Sequence, residues 1–193
     1  MIVIGLTGSI GMGKTTTADL FRQAGLPVFD ADAAVHALYD GPLAKEIESV
    51  FPGTTIDGRV DRAKLAERLS AEADAFRRLE AIVHPAVRRV EADFLDRARA
   101  DGVPAVVLDI PLLFETGRHH DVDKVVVVSA PAEVQRARVL ARPGMTAEKF
   151  EALLARQMPD TEKKARADFV VPSGDGFGAA RDAVAIFLRQ LLA

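Results

Sequence analysis

Cysteine is absent from all 193 residues, which excludes disulfides, zinc–thiolate centres and thiol nucleophiles together. Tryptophan and asparagine are missing too, and tyrosine occurs once. Long apolar runs are lacking. Runs such as 105–108 and 125–128 suit buried strands and fall far short of a membrane span, so no membrane partner is expected. Net charge is only −3, so the molecule as a whole is not a polyanion binder and no nucleic-acid partner is expected. The opening residues, Met1-Ile-Val-Ile-Gly5, lack the charged start and cleavage site of a signal peptide, which makes cytoplasmic residence the expectation. No repeat and no low-complexity tract is found.

What is present suffices for a core. The chain is 49% hydrophobic and 27% charged, a balance foreign to disordered tails. A chain of this length buries roughly 70% of the surface its unfolded form exposes, so it needs no covalent staples. Residues 2–6 read as a buried strand leading into Gly8. Ala18, Phe21 and Ala24 then recur at helical spacing, with Gly25 where a C-cap glycine belongs. Residues 27–29 read as a second strand ending at Asp30-Ala-Asp32, and 105–108, 125–128 and 169–171 make five. Strands alternating with helices predict an α/β fold with a five-stranded parallel sheet covered on both faces.

The stretch 33–100 is too long for a simple crossover and reads as a helical insertion in one domain spanning 1–193. Turn signals fall at Phe51-Pro-Gly53 and Asp57-Gly58, and Asp61 can open a helix. Val87, Val90 and Phe94 share a helix face. His84-Pro85 predicts a helix boundary. Further on, Pro131 starts a helix reaching Arg142, Thr146 caps the next, and Ala180, Val184, Phe187 and Leu191 stripe the last.

The chemistry concentrates near the start. Gly8-Ser-Ile-Gly-Met-Gly13-Lys14-Thr15 fits the Walker A pattern G-x-x-x-x-G-K-[ST] between a strand and a helix. Successive N–H groups wrapped around an anion require backbone conformations that side chains obstruct, hence Gly8, Gly11 and Gly13. The helix start adds its positive dipole end, Lys14 a point charge for the β- and γ-phosphates, and the Thr15 hydroxyl a ligand for Mg²⁺. The pattern therefore predicts a bound nucleoside triphosphate. Without asparagine, the guanine-reading Asn-Lys-x-Asp motif is impossible, and a kinase with a small acceptor remains. Asp30 and Asp32 lie at the carboxyl edge of the sheet, where ligands bind in open α/β folds. Either can serve as the base at the acceptor hydroxyl or simply cap the helix that follows, and Asp30 reads better as the cap. Asp109, at a strand tip, reads as a Walker B carboxylate for Mg²⁺ or as an ordinary strand-end carboxylate. Residues 136–166 hold eight Lys/Arg against four Asp/Glu, around a Pro143-Gly144 joint. This predicts a helical lid, with Arg142 at its joint. Two other readings stay open on these residues: a kinase for a nucleoside or nucleotide, and an ATP-gated binding module without catalysis.

Taken together, residues 6–16, Asp30-Ala-Asp32, Ile82-Val-His84-Pro85, the 109–115 segment Asp-Ile-Pro-Leu-Leu-Phe-Glu, and Gln135 through Arg138 to Arg142 resemble the dephospho-CoA kinase family over nearly the whole chain. The resemblance implies a P-loop kinase core with a helical CoA-binding domain and a lid. Its reaction is ATP plus dephospho-CoA giving ADP plus CoA, with Mg²⁺ and with the ribose 3′-hydroxyl as acceptor. It implies an ATP loop from Gly11 through Met12, Gly13, Lys14 and Thr15 to Thr16. Asp32 becomes the base and Arg142 a lid contact to the phosphates. Thr7 falls near the reacting groups, and His84 and Glu115 fall on the substrate side. Read on their own, His84 is a cap at a helix boundary or a buried hydrogen-bonding group, and Glu115 a ribose contact or a loop anchor. His119 and His120 are exposed loop residues. Ser9 and Met12 stand where the family commonly has glycine and serine, at positions taken as the outside of the loop. No motif sets an oligomeric state.

Overall fold

In chain order the elements are β1 (Ile2–Thr7), α1 (Lys14–Gln23), β2 (Val28–Asp30), α2 (Ala31–Tyr39), α3 (Ala44–Val50), β3 (Thr55–Ile56), β4 (Arg59–Val60), α4 (Arg62–Ala71) and α5 (Ala75–Ala100). Then come β5 (Ala105–Asp109), a 3-10 turn at Arg118–Asp121, β6 (Lys124–Ser129), α6 (Ala132–Leu140), α7 (Ala147–Leu154), α8 (Asp160–Ala165), β7 (Phe169–Pro172) and α9 (Phe177–Leu191). This computed structural model describes residues 1–72 and 74–192. Among the described residues, no helix is long and apolar enough to cross a membrane. The chain divides into two compact units, Met1–Phe29 with Ala98–Ala193, and Asp30–Arg97.

The first unit is built on a five-stranded sheet of order β2-β5-β1-β6-β7. β1 lies parallel to β5 on one side and to β6 on the other, and β6 is parallel to β7. The near-continuous Val/Ile/Leu runs of β5 and β6 follow from burial on both sheet faces. Alternate residues choose the face. Ile4, Leu6, Val107, Val126 and Val128 pack with Ala18, Leu20 and Phe21 of α1 and with Ala180, Val184 and Phe187 of α9. The Phe21 and Phe187 rings meet edge to face at 6.2 Å, a favoured aromatic geometry. The fold matches the sequence expectation of an α/β parallel sheet, with boundaries moved by one or two residues.

The second unit buries Leu38, Ile47, Phe51, Leu65, Leu79 and Val83. Asp61 caps α4 as expected, its Oδ1 accepting from the N–H groups of Ala63 (2.9 Å) and Lys64 (3.2 Å). Two expectations are corrected here. The stretch 33–100 is not helical throughout: the expected Asp57-Gly58 turn is present and closes a two-stranded antiparallel hairpin, β3 with β4. Positive φ at both residues, 50° and 76°, is the Asp-Gly hairpin signature, hidden in sequence because each strand is only two residues long. The second correction is His84-Pro85, which is no boundary: α5 runs through it for 26 residues. Proline there removes one backbone bond and costs about 3 kcal/mol. Leu79, Val83 and Val87 are buried at four-residue spacing on either side of it, and fully burying each such side chain yields about 1.5–3 kcal/mol. The apolar stripe therefore outweighs the break, and Pro85 faces outward.

Candidate active site

The turn joining β1 to α1 is shaped by its glycines. Gly11 and Gly13 hold φ of 80° and 87°, in the left-handed region that side chains disfavour. Space forbids a Cβ as well: one on Gly11 would meet Val139 Cγ2 at 2.4 Å, and one on Gly8 the Val128 carbonyl at 2.8 Å. Met12 and Ser9 are both buried, which corrects their expected place on the outside of the loop. Met12 is pinned from inside. Its sulfur accepts from the Ala130 N–H at 3.1 Å and its carbonyl from Ser173 Oγ at 2.5 Å.

α1 begins at Gly13 with no side-chain cap and no acidic residue in its first turn. Its leading N–H groups and dipole end are thus left to an outside anion. α9 starts the same way at Gly176. Both starts line one cleft of about 400 Å³, together with Gly11, Thr15, Thr16 and two arginines, Arg138 and Arg142. Arg138 is held in place, donating from Nη2 to the Ser173 carbonyl at 2.7 Å and from Nη1 to Ser173 Oγ at 3.2 Å. Arg142, just past α6, is exposed. Thr15 and Thr16 are exposed as well.

At the tip of β5, the Asp109 carboxylate forms an ion pair with Lys14 Nζ, the side chains 4% and 18% exposed. The pair brings the loop's cation and the strand-end carboxylate to one point. Thr7 is fully buried and donates to the Pro111 carbonyl at 3.0 Å, fixing the chain that leaves β5. Glu115, further along that chain, is an anchor. It accepts from the Met158 N–H at 2.8 Å and pairs with Lys163 Nζ at 2.8 Å, and the lysine side chain is wholly buried. Burial pushes the Glu115 carboxyl up, but the Lys163 ammonium and the Met158 N–H outweigh it and hold it below the usual carboxylate range.

In the second unit, Asp30 caps α2, accepting from the Ala33 N–H at 2.9 Å, as its position in sequence suggested. Asp32 sits in the first turn of α2. It is exposed and has no hydrogen-bond or ion-pair partner among the described residues. His84 is exposed on α5, away from any helix end, so it caps nothing. His119 is not the free loop residue expected: it stands in the 3-10 turn, half-buried, with its ring 5.4 Å from Phe114 and 4.0 Å from His120. Sequence reasoning also missed Lys163 and Ser173, whose partners lie far away along the chain.

The donors suited to a metal are the Thr15 hydroxyl and the Asp109 carboxylate, both hard oxygens. Among the described residues, no three His, Cys, Asp or Glu side chains gather as a metal cluster.

Comparison with known proteins gives the family. Its relatives include the dephospho-CoA kinase of Agrobacterium fabrum, 61% identical over 191 residues, covering 99% of this chain and 98% of that protein. A crystallised protein from Thermus thermophilus superposes with a TM-score of 0.86 at 37% identity, covering 100% of this chain and 98% of the other. The dephospho-CoA kinase from Campylobacter jejuni shares the fold, with a TM-score of 0.69 at 23% identity over 98% and 96% of the two chains. The dephospho-CoA kinase family profile matches residues 2–176, and the chain belongs to that family.

Proposed function

We propose that this chain performs its family's reaction with the side chains described above in specific roles. The reaction is ATP-dependent phosphorylation of dephospho-CoA. In the proposed mechanism the acceptor is the ribose 3′-hydroxyl. The new bond joins that oxygen to the γ-phosphorus, the bond from the γ-phosphorus to the β-γ bridging oxygen breaks, and ADP leaves. The observation that carries the reading is the uncapped start of α1 behind three glycines, with Lys14 and Asp109 meeting beside it.

The triphosphate lies along residues 8–16, where the N–H groups of Gly11 and of Gly13 to Thr16 face its oxygens. Lys14 leaves its ion pair with Asp109 for the phosphates, and Arg142, which lines the same cleft as the loop, adds charge. These cations offset the charge spread over the transferring phosphoryl group. Asp32 accepts a hydrogen bond from the acceptor hydroxyl and aims it. Proton removal comes late in a loose transition state, so aiming matters more than basicity. Thr15 and Asp109 would hold Mg²⁺, which fits one or two protein oxygens plus phosphates. Held there, the ion would supply positive charge to offset that of the transferring phosphoryl group. His84 is offered to the acceptor by its exposure, whereas Glu115 acts by anchoring the chain after β5. Residues 30–97 are the proposed acceptor-binding part, and 136–166 the lid. The reaction is placed in the cytoplasm and needs neither nucleic acid nor membrane.

The test is a coupled ADP-release assay. Dephospho-CoA should support turnover and adenosine should not. Asp32→Ala, which removes the acceptor that aims the hydroxyl, should lower kcat by about a hundredfold or more with dephospho-CoA still bound. Turnover within a few-fold of the parent enzyme would remove Asp32 from this role.

A further inference from the structure

We infer that Gln135 and Gln157 are positioning residues for phosphoryl transfer, gripping the backbone of Ile10 in the phosphate loop through both of its polar groups. The inference rests on the loop being the ATP site. Gln135 Nε2 donates to the Ile10 carbonyl at 2.7 Å, and Gln157 Oε1 accepts from the Ile10 N–H at 3.1 Å. Both partners are main-chain atoms, so neither amide can be turned around: Gln135 must donate and Gln157 must accept.

The loop supplies little of this restraint itself. Its one internal backbone bond runs from the Met12 N–H to the Ser9 carbonyl at 3.1 Å and bypasses Ile10. The next residue, Gly11, has the widest conformational choice of any residue type. Left to water, a tip of this kind would sample many arrangements, and each would have to be suppressed when the terminal phosphate is gripped.

The two glutamines are themselves fixed. Gln135 is buried on α6. Gln157 follows α7, and its neighbour Met158 donates its N–H to Glu115, which is paired with the buried Lys163. Glu115 lies on the chain leaving β5, the strand that ends in Asp109. The loop tip is therefore referenced both to the helix leading to Arg142 and to the segment that follows the metal-side carboxylate. Neither residue reaches the reacting atoms. They act through the Ile10 peptide.

The donor–acceptor difference provides the test. Gln135→Glu and Gln157→Glu bring the same charge to the same peptide, but a carboxylate accepts and does not donate. Q157E keeps its bond to the Ile10 N–H, whereas Q135E sets a carboxylate against a carbonyl. Steady-state kinetics with Mg-ATP and dephospho-CoA should show ATP KM raised in both through the shared charge. Q135E should also lose kcat, by about ten- to a hundredfold relative to Q157E. Q157A should lose kcat comparably, and Q157E should recover most of that loss. Equal kcat losses in the two glutamate variants, or none in either, overturn the inference. Should Q135E fail to fold, exchange of the Ile10 amide hydrogen decides. It should be protected in the parent and in Q157E and at least about tenfold faster in Q157A; equal exchange in Q157A and the parent overturns the inference. Lys14→Met serves as the control: turnover surviving in it defeats the ATP-loop reading itself, whatever the glutamines do.

Discussion

Helices α1 and α4 begin in opposite ways. α4 satisfies its own leading N–H groups with the Asp61 carboxylate, and α2 and α7 do likewise with Asp30 and Thr146. α1 begins at a left-handed glycine, with no cap and no acid in the first turn. A cap of this kind is worth about 1 kcal/mol. The chain thus has the means to close a helix start and leaves this one open, with a lysine in place of an acid. The difference separates helix starts closed for stability from one left open, which the proposed function assigns to a ligand.

Three substitutions can break or sharpen this contrast. The largest effect is expected from Lys14→Met, which keeps the chain length and removes the charge. kcat should fall by about a hundred- to a thousandfold, read as ADP release at saturating ATP; the thermal midpoint should fall as well, because the buried Asp109 carboxylate loses its ion-pair partner. Next is Thr16→Glu, which gives α1 the acidic first turn that it lacks. Calorimetric titration should show Mg-ATP binding weakened by about tenfold or more. Stability should hold or rise slightly, since a carboxylate near a helix start contributes about 0.3–1 kcal/mol. A loss of stability with unchanged affinity would mean that the open start serves the fold. The smallest effect belongs to Asp61→Ala. Unfolding by urea should show about 1 kcal/mol lost, with no change in ATP affinity.

Much of this contrast is legible in the sequence, because it is local. Glycine spacing reveals the loop, and Asp30, Asp61 and Thr146 announce their helices from the next three residues. Pro85 misleads for the same reason. The rule that proline ends a helix looks at one residue, whereas α5 continues because Leu79, Val83 and Val87 find a core. Two-residue strands such as β3 carry too little alternation to be seen. The buried polar ties are harder still. Ile10 and Gln157 stand 147 residues apart, and Glu115 and Lys163 meet across about half of the chain's second half. Nothing in the local pattern around a glutamine or a lysine says which distant backbone atom or carboxylate it will find. Met12 illustrates the limit from the other side: at its position in the loop it reads as a substitution at the surface, and only the fold shows its sulfur turned inward to Ala130.

The strand order has a bearing on how the molecule comes into being. β1 is translated first yet lies at the middle of the sheet, and its two neighbours are supplied by residues 105–109 and 124–127. A ribosome that has released only the first hundred residues has therefore produced the nucleotide loop with nothing on either side to brace it. Folding of this unit must wait on distant pairings, which are slow to close. Residues 30–97 carry their own core and can settle in the meantime.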